Sequence, residues 1–535
     1  MRSGFESNIN SLKSLVNRFD EESNTQKITL LELLSKRKIV CNSILNEYVN
    51  ALLFICAFPN NKKLKLIAES ELKRITTTLK SAQSKSKVQY VNSGLPFTEY
   101  LGCFSHTFVS LLSTHPGCEV QLSSIENTKF DLNDILYLTL PPMERSITTS
   151  GYSNFDLMDA LLVNEKKRLP FILNELNRVK NQTFVKDFLY DGLEIYVKLI
   201  PRKKEFSKIY NRIAKQEVYY HSEIIKKFDH IELLNRNVAA NTLNQKEKND
   251  LLFVINNAMA VTARETDTVT YMDENSLQFY ELERGLSVAI YGMISERQLP
   301  LESYVGYTLF KNEFPVAYGG AWVFGERADF GINIFDAFRG GESGYMFCQL
   351  LRVFRQVFQI NYFLVEAFQY GLDNPEGIDS AAFWFYYRYG FKPLNKEINM
   401  IANIEYKKIS ASKKYRTSKR ILLKFTESNI ALNLGKKIPV SIGDITTKVR
   451  QMIQREYKGD REQAEIGSSN LFLSNTNYNE TLNTNENLVL KEVALWANAF
   501  QIMDSNKLKI LTQIIKTKPV DVYAYQQLIL QFFKD

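Results

Sequence analysis

Cysteine, glycine and proline are all scarce in this chain, and no apolar run is long. The five cysteines (Cys41, Cys56, Cys103, Cys118, Cys348) are odd in number and widely scattered, which excludes a disulfide-stapled scaffold and favours a reducing, cytoplasmic compartment. With 23 glycines and 13 prolines in 535 residues, collagen-like and low-complexity architectures are excluded as well. The most apolar early run, Tyr48 to Phe58, is too short to cross a bilayer, and MRSGFESNINSLKSL lacks the basic-then-apolar order of a signal peptide. No membrane association is expected. Several catalytic loops are missing too. There is no Walker A loop and no strand followed by G-x-G-x-x-G, and the run Gly341-Glu342-Ser343-Gly344 ends on Tyr345 where a serine-nucleophile elbow needs glycine.

What is present is a globular composition, 45% hydrophobic and 24% charged, in a chain long enough for about three domains at roughly 100–200 residues each. Lysine plus arginine number 67 against 59 acidic residues, a net charge of +8. Spread over this length, the excess favours polyanionic ligands without demanding them.

To about residue 235 the spacing predicts helices, as in Ile44, Tyr48, Leu52 and Ile55, broken at Pro59-Asn60-Asn61. The basic stretches Lys62 to Lys87 and Pro201 to Lys227 alternate charge with Leu, Ile and Tyr and read as solvated helix faces. Residues 300–395 differ in character. Tyr304–Phe310, Val316–Phe324 and Ala328–Asp336 read as an antiparallel three-strand meander with turns at Lys311-Asn312-Glu313 and Gly325-Glu326-Arg327. Next come Arg339-Gly340-Gly341-Glu342-Ser343-Gly344 and a helical pattern with Phe347, Leu350, Leu351, Phe354 and Phe358 on one face and Gln349, Arg352, Gln356 and Gln359 on the other. Tyr362–Ala367 reads as a buried strand, and Ser380–Tyr389 as an aromatic helix ending at Gly390.

A glycine-rich turn opening a helix presents unsatisfied backbone N–H groups and the positive end of the helix dipole, which together bind phosphate. Two segments then carry a family resemblance. Ala382-Phe383-Trp384-Phe385-Tyr386-Tyr387-Arg388-Tyr389-Gly390-Phe391 resembles the A-x-x-F-Y-x-x-x-G-F closing motif of the GNAT acyltransferase superfamily, and FRGGESGY is similar to that family's Q/R-x-x-G-x-G/A pyrophosphate loop. Both fall in family order, a helix and a strand apart, and the resemblance is confined to about residues 300–395.

The resemblance implies an α/β fold: a mixed-sheet GNAT-like domain over residues 236–405, between an α-rich N-terminal region (1–235) and a basic linker with a mostly helical C-terminal region (406–535). It implies a sheet that splays after the strand Ala328–Asp336, and an acetyl-coenzyme A or other acyl-coenzyme A co-substrate in the cleft beside Tyr362–Ala367. The pyrophosphate would sit on Arg339, Gly340, Gly341, Glu342, Ser343 and Gly344, with Asn374 nearby. Tyr386 holds the place of the tyrosine that protonates the departing thiolate, and Glu366 is the candidate base, with Asp336 second. Such proton transfers contribute about 10²–10⁴-fold. The implied activity is N-acyl transfer to a small-molecule or peptide amine. Two alternatives remain: transfer from an aminoacyl-tRNA, and a GNAT-like binding protein without catalysis. At Glu342 the family has glycine, so a carboxylate enters the loop unless it points outward or Arg339 neutralises it. Position 379, often asparagine in the family, is aspartate here.

Other signals are weaker. Cys103, His106, His115 and Cys118 form C-x-x-H and H-x-x-C pairs, but the residues between them read as buried structure, and no metal is expected. Lys407–Arg420 holds seven basic residues and no acidic one, with Tyr415 as its single aromatic, the feature on which an RNA backbone would lie. Asn470–Leu488 reads as an Asn-rich flexible joint. Oligomeric state is not legible in the sequence.

Overall fold

The computed structural model describes residues 4–179, 183–214 and 217–534. Twelve strands lie among them: β1 (Tyr100–Cys103), β2 (Cys118–Ile125), β3 (Ile195–Pro201), β4 (Gln278–Glu281), β5 (Leu286–Tyr291), β6 (Ser303–Lys311), β7 (Phe314–Phe324), β8 (Arg327–Phe330), β9 (Asn333–Ile334), β10 (Tyr362–Val365), β11 (Lys392–Pro393) and β12 (Ile430–Asn433). The central sheet runs β11-β12-β10-β8-β7-β6-β5-β4, with β9 on β7. Among the described residues every pair in it is antiparallel except β8 with β10. The mixed α/β architecture with helical N- and C-terminal regions is the expected class, and β12 carries the sheet beyond residue 405.

Alternation along the strands decides what covers each face. In β5, Leu286, Val288 and Ile290 join one core while Ala289 and Tyr291 join another. The first core holds the helix Ser343–Phe358 together with the N-terminal helices, so Tyr48, Leu52 and Ile55 of helix Ile44–Ala57 pack in one cluster with Val305, Tyr307 and Phe354. The second core holds helix Gln245–Ala260 and the inner residues Val197 and Leu199 of a small β1-β3-β2 sheet. That small sheet interrupts the helical reading of the N-terminal region. Only its middle strand alternates cleanly between buried and half-buried positions, whereas most of β2 is half-buried, so periodicity along β2 is weak.

Two further segments pack more closely than their polar composition suggests. On the polar side of helix Ser343–Phe358, Gln356 is half-buried and Gln359 exposed, but Gln349 is buried, and Arg352, also buried, donates to both oxygens of Glu283 and to the carbonyls of Arg236 and Asn237. The Asn-rich joint is mostly helical, because helices Arg461–Thr476 and Thr484–Ala499 run into it and Phe472 anchors the first of them in the C-terminal core. That C-terminal bundle docks on the sheet through Gln526, which donates to the carbonyls of Gly325 (2.7 Å) and Phe358 (2.6 Å). No helix among the described residues is long and apolar enough to cross a membrane.

Candidate functional site

The site grows out of a parting of strands. β8 and β10 pair at Arg327↔Tyr362, Ala328↔Phe363 and Asp329↔Leu364. Beyond that point the chain bends at Gly331 and stays with β7 through Asn333↔Tyr318, while β10 continues with β12 through Val365↔Ile430. A cavity of about 700 Å³ opens between the diverging chains, with Ile332–Phe335 on one side and Phe368 and Gln369 on the other. Gly331 leaves room there for the Gln369 amide, which a Cβ would meet at 2.9 Å, and its carbonyl accepts the Tyr307 hydroxyl at 2.6 Å.

The glycine turn borders the same cavity. Gly340 has φ +81, a left-handed conformation that favours glycine, and helix Ser343–Phe358 begins two residues after Gly341. The N–H groups from Gly340 to Tyr345 find no protein acceptor among the described residues, and Arg339 and Ser343 line the cavity. Gly344 ties the turn to the closing motif, since a Cβ there would fall 1.7 Å from the Tyr389 hydroxyl oxygen.

Of the other expected residues, Tyr386 lines the cavity. It is buried edge-on against Phe347 at 5.5 Å, and its hydroxyl makes no hydrogen bond among the described residues. Burial pushes its phenol well above the ordinary range, so it keeps its proton. Asn374 also lines the cavity, accepting from Gly377 N and donating to Phe368 O. Asp336 lines it too and pairs with Arg339 at 3.1 Å, while Arg339 reaches Glu376 as well. An anion at the turn therefore competes with two carboxylates for Arg339. Glu366 is exposed at the end of β10 and is not among the lining residues.

Glu342 is not among the residues lining the cavity. Its carboxylate is buried and accepts from Arg284 Nε (2.9 Å), Lys311 Nζ (2.7 Å) and Ile225 N (3.1 Å). Burial alone would raise its pKa, but the Lys311 charge and the hydrogen bonds from Arg284, Lys311 and Ile225 hold it below the ordinary value. The side chain that breaks the family's glycine pattern thus fastens the turn to the sheet.

The sequence reading missed Lys208, which lines the cavity and donates through Nζ to Asn46 Oδ1 and Asn50 Oδ1, both at 2.7 Å. It sits in the 201–227 stretch read as a solvated helix face, which is largely irregular and buries Phe206, Ile209, Asn211 and His221. The available signal was the Asn46, Asn50 pair, four apart on an otherwise mostly apolar helix.

The remaining candidates separate. Cys103 is exposed at the end of β1, Cys118 is buried, and His115 stacks on Phe253. No group of three or more metal-ligating side chains occurs among the described residues. In the basic run, Tyr415 donates to Glu405 at 2.7 Å, Lys408 pairs with Glu405 and Lys419 with Asp379. Comparison of the chain with protein-family models, with curated proteins and with solved structures finds no match.

Proposed function

We propose that this chain is an N-acyltransferase that moves an acyl group from an acyl-coenzyme A thioester to a primary amine. The observation that carries the reading is the convergence on one cavity of three features: parted parallel strands, a glycine turn with unsatisfied N–H groups opening a helix, and the protonated Tyr386. The turn and helix N-terminus hold the diphosphate, and the acyl arm lies between β8 and β10. The amine nitrogen attacks the thioester carbonyl and loses a proton to a base in the cavity, the carbon–sulfur bond breaks, and Tyr386 gives its proton to the departing thiolate.

Release of free thiol from acetyl-coenzyme A in the presence of a panel of primary amines tests this. Turnover that falls about 100-fold in Tyr386→Phe, with coenzyme binding retained, supports it. Absence of coenzyme binding contradicts it and leaves the cavity to an aminoacyl-tRNA donor or to binding without transfer.

A further inference from the structure

The cavity has a second wall, built by the N-terminal region from Asn46, Asn50, Asn92, Lys208 and Asn211. Asn211 is committed to Val254 O and Asn257, so it only shapes the wall. Lys208 is held differently. Its backbone N–H donates to Gly94 O at 2.9 Å, and Gly94, with φ +76, leaves room for the lysine stem, since a Cβ there would meet Lys208 Cδ at 2.9 Å.

At the end of that stem Nζ meets two amide oxygens on one helix turn, and among the described residues no carboxylate lies within ion-pair distance of it. The two amide oxygens hold Nζ in the cavity wall without neutralising it, and on their own such bonds favour the ammonium. An ammonium has a third donor, and no protein acceptor meets it here.

The charges around it are few. From helix Ile44–Ala57 only the two amides reach it, Glu47 being paired with Lys13. Asp336, which lines the cavity and is tied to Arg339, favours the ammonium; Arg264, Arg339 and Glu376 line the same space. On its own segment Lys204 lies over the Tyr210 ring. Burial outweighs the Asp336 charge and lowers the Lys208 ammonium to about 7.

We propose that Lys208 is the proton acceptor for the amine substrate, its uncharged Nζ taking the proton that the attacking nitrogen releases. This rests on the acyl-transfer reading above. As the nitrogen–carbon bond forms and the carbon–sulfur bond breaks, the amine proton passes to Lys208 Nζ and the Tyr386 proton to the thiolate. Exchange with water then returns both side chains to their starting forms. The substrate this wall fits is a primary amine entering from the N-terminal side of the cavity.

Competitive acetylation of the full chain with trace acetic anhydride across pH 5.5 to 11, read lysine by lysine in peptide mass spectra, tests the claim without any coenzyme. Lys208 is expected to titrate about three units below the surface lysines. Asn50→Asp, which sets a carboxylate beside it, should move that midpoint up by about one unit or more. In turnover, Lys208→Arg keeps the charge but cannot accept a proton, so kcat should fall about 100-fold with acetyl-coenzyme A affinity unchanged. An ordinary lysine midpoint, no labelling of Lys208 where surface lysines react, or an unchanged kcat in Lys208→Arg each overturns the proposal while leaving coenzyme binding standing. Failure to bind acetyl-coenzyme A instead overturns the donor assignment.

Discussion

Lys311 and Lys208 are compensated in opposite ways. Lys311 is fully buried against the Glu342 carboxylate, with Arg284 on the same group. Among the described residues the Lys208 ammonium group hydrogen-bonds to the amides of Asn46 and Asn50, and it faces the cavity. A buried charge with its counter-charge is a fastening: separating the pair is expensive, and neither member is free for chemistry. A half-buried amine with neutral partners remains free to gain or lose a proton near neutral pH. The same residue type therefore serves structure at Lys311 and, on the proposed reading, proton transfer at Lys208.

The largest expected effect comes from breaking the fastened side. Glu342→Gln removes the negative charge that Arg284 and Lys311 share and should cost about 3–5 kcal/mol, read as an earlier urea midpoint. Because the Glu342 carboxyl is held below its ordinary value, its contribution is complete above the unfolded carboxyl pKa of about 4.3 and is lost as pH falls through the lower folded value. Wild type and Glu342→Gln should therefore converge in stability only in acid.

A smaller effect belongs to the turn. Gly344→Ala drives a methyl group into the Tyr389 hydroxyl and should cost about 1–3 kcal/mol, whereas Gly340→Ala meets open space and carries only the penalty of its φ of +81, about 1–2 kcal/mol. Thermal unfolding of the two variants separates steric from conformational need.

The open side responds to pH. With its ammonium lowered to about 7, Lys208 makes wild-type stability rise with pH from about 7 to the unfolded lysine value of about 10.4. Lys208→Met should lack that slope, so the variant gains on wild type as pH falls through this window and holds a constant lead below it.

Much of the frame was legible in the sequence because the meander is written in short aromatic and β-branched runs with clear turn residues. Expected Tyr304–Phe310 and Val316–Phe324 became Ser303–Lys311 and Phe314–Phe324. The third strand was read as continuous, but Gly331 breaks it so that β9 follows β7 and the cavity opens. That break depends on which neighbour each half pairs with, a tertiary choice that no local pattern encodes. Tyr386, Arg339, Ser343 and Asn374 were found through motif spacing and all line the cavity. Glu366 was chosen as a carboxylate at a strand end, but the strand end faces outward. Lys208 was hidden because its segment lacks periodicity and its partners are some 160 residues away in sequence.

The central claim is that the glycine turn beside the parted strands binds the diphosphate of an acyl-coenzyme A. Calorimetric titration of acetyl-coenzyme A into wild type and Ser343→Asp tests it most directly. An acidic residue at the first helical position suits the helix dipole but repels an anion bound at the turn. The account predicts saturable binding to wild type and at least about 10-fold weaker binding to a Ser343→Asp variant whose thermal stability is unchanged. Equal affinity for the two proteins, or no binding to wild type, would contradict it.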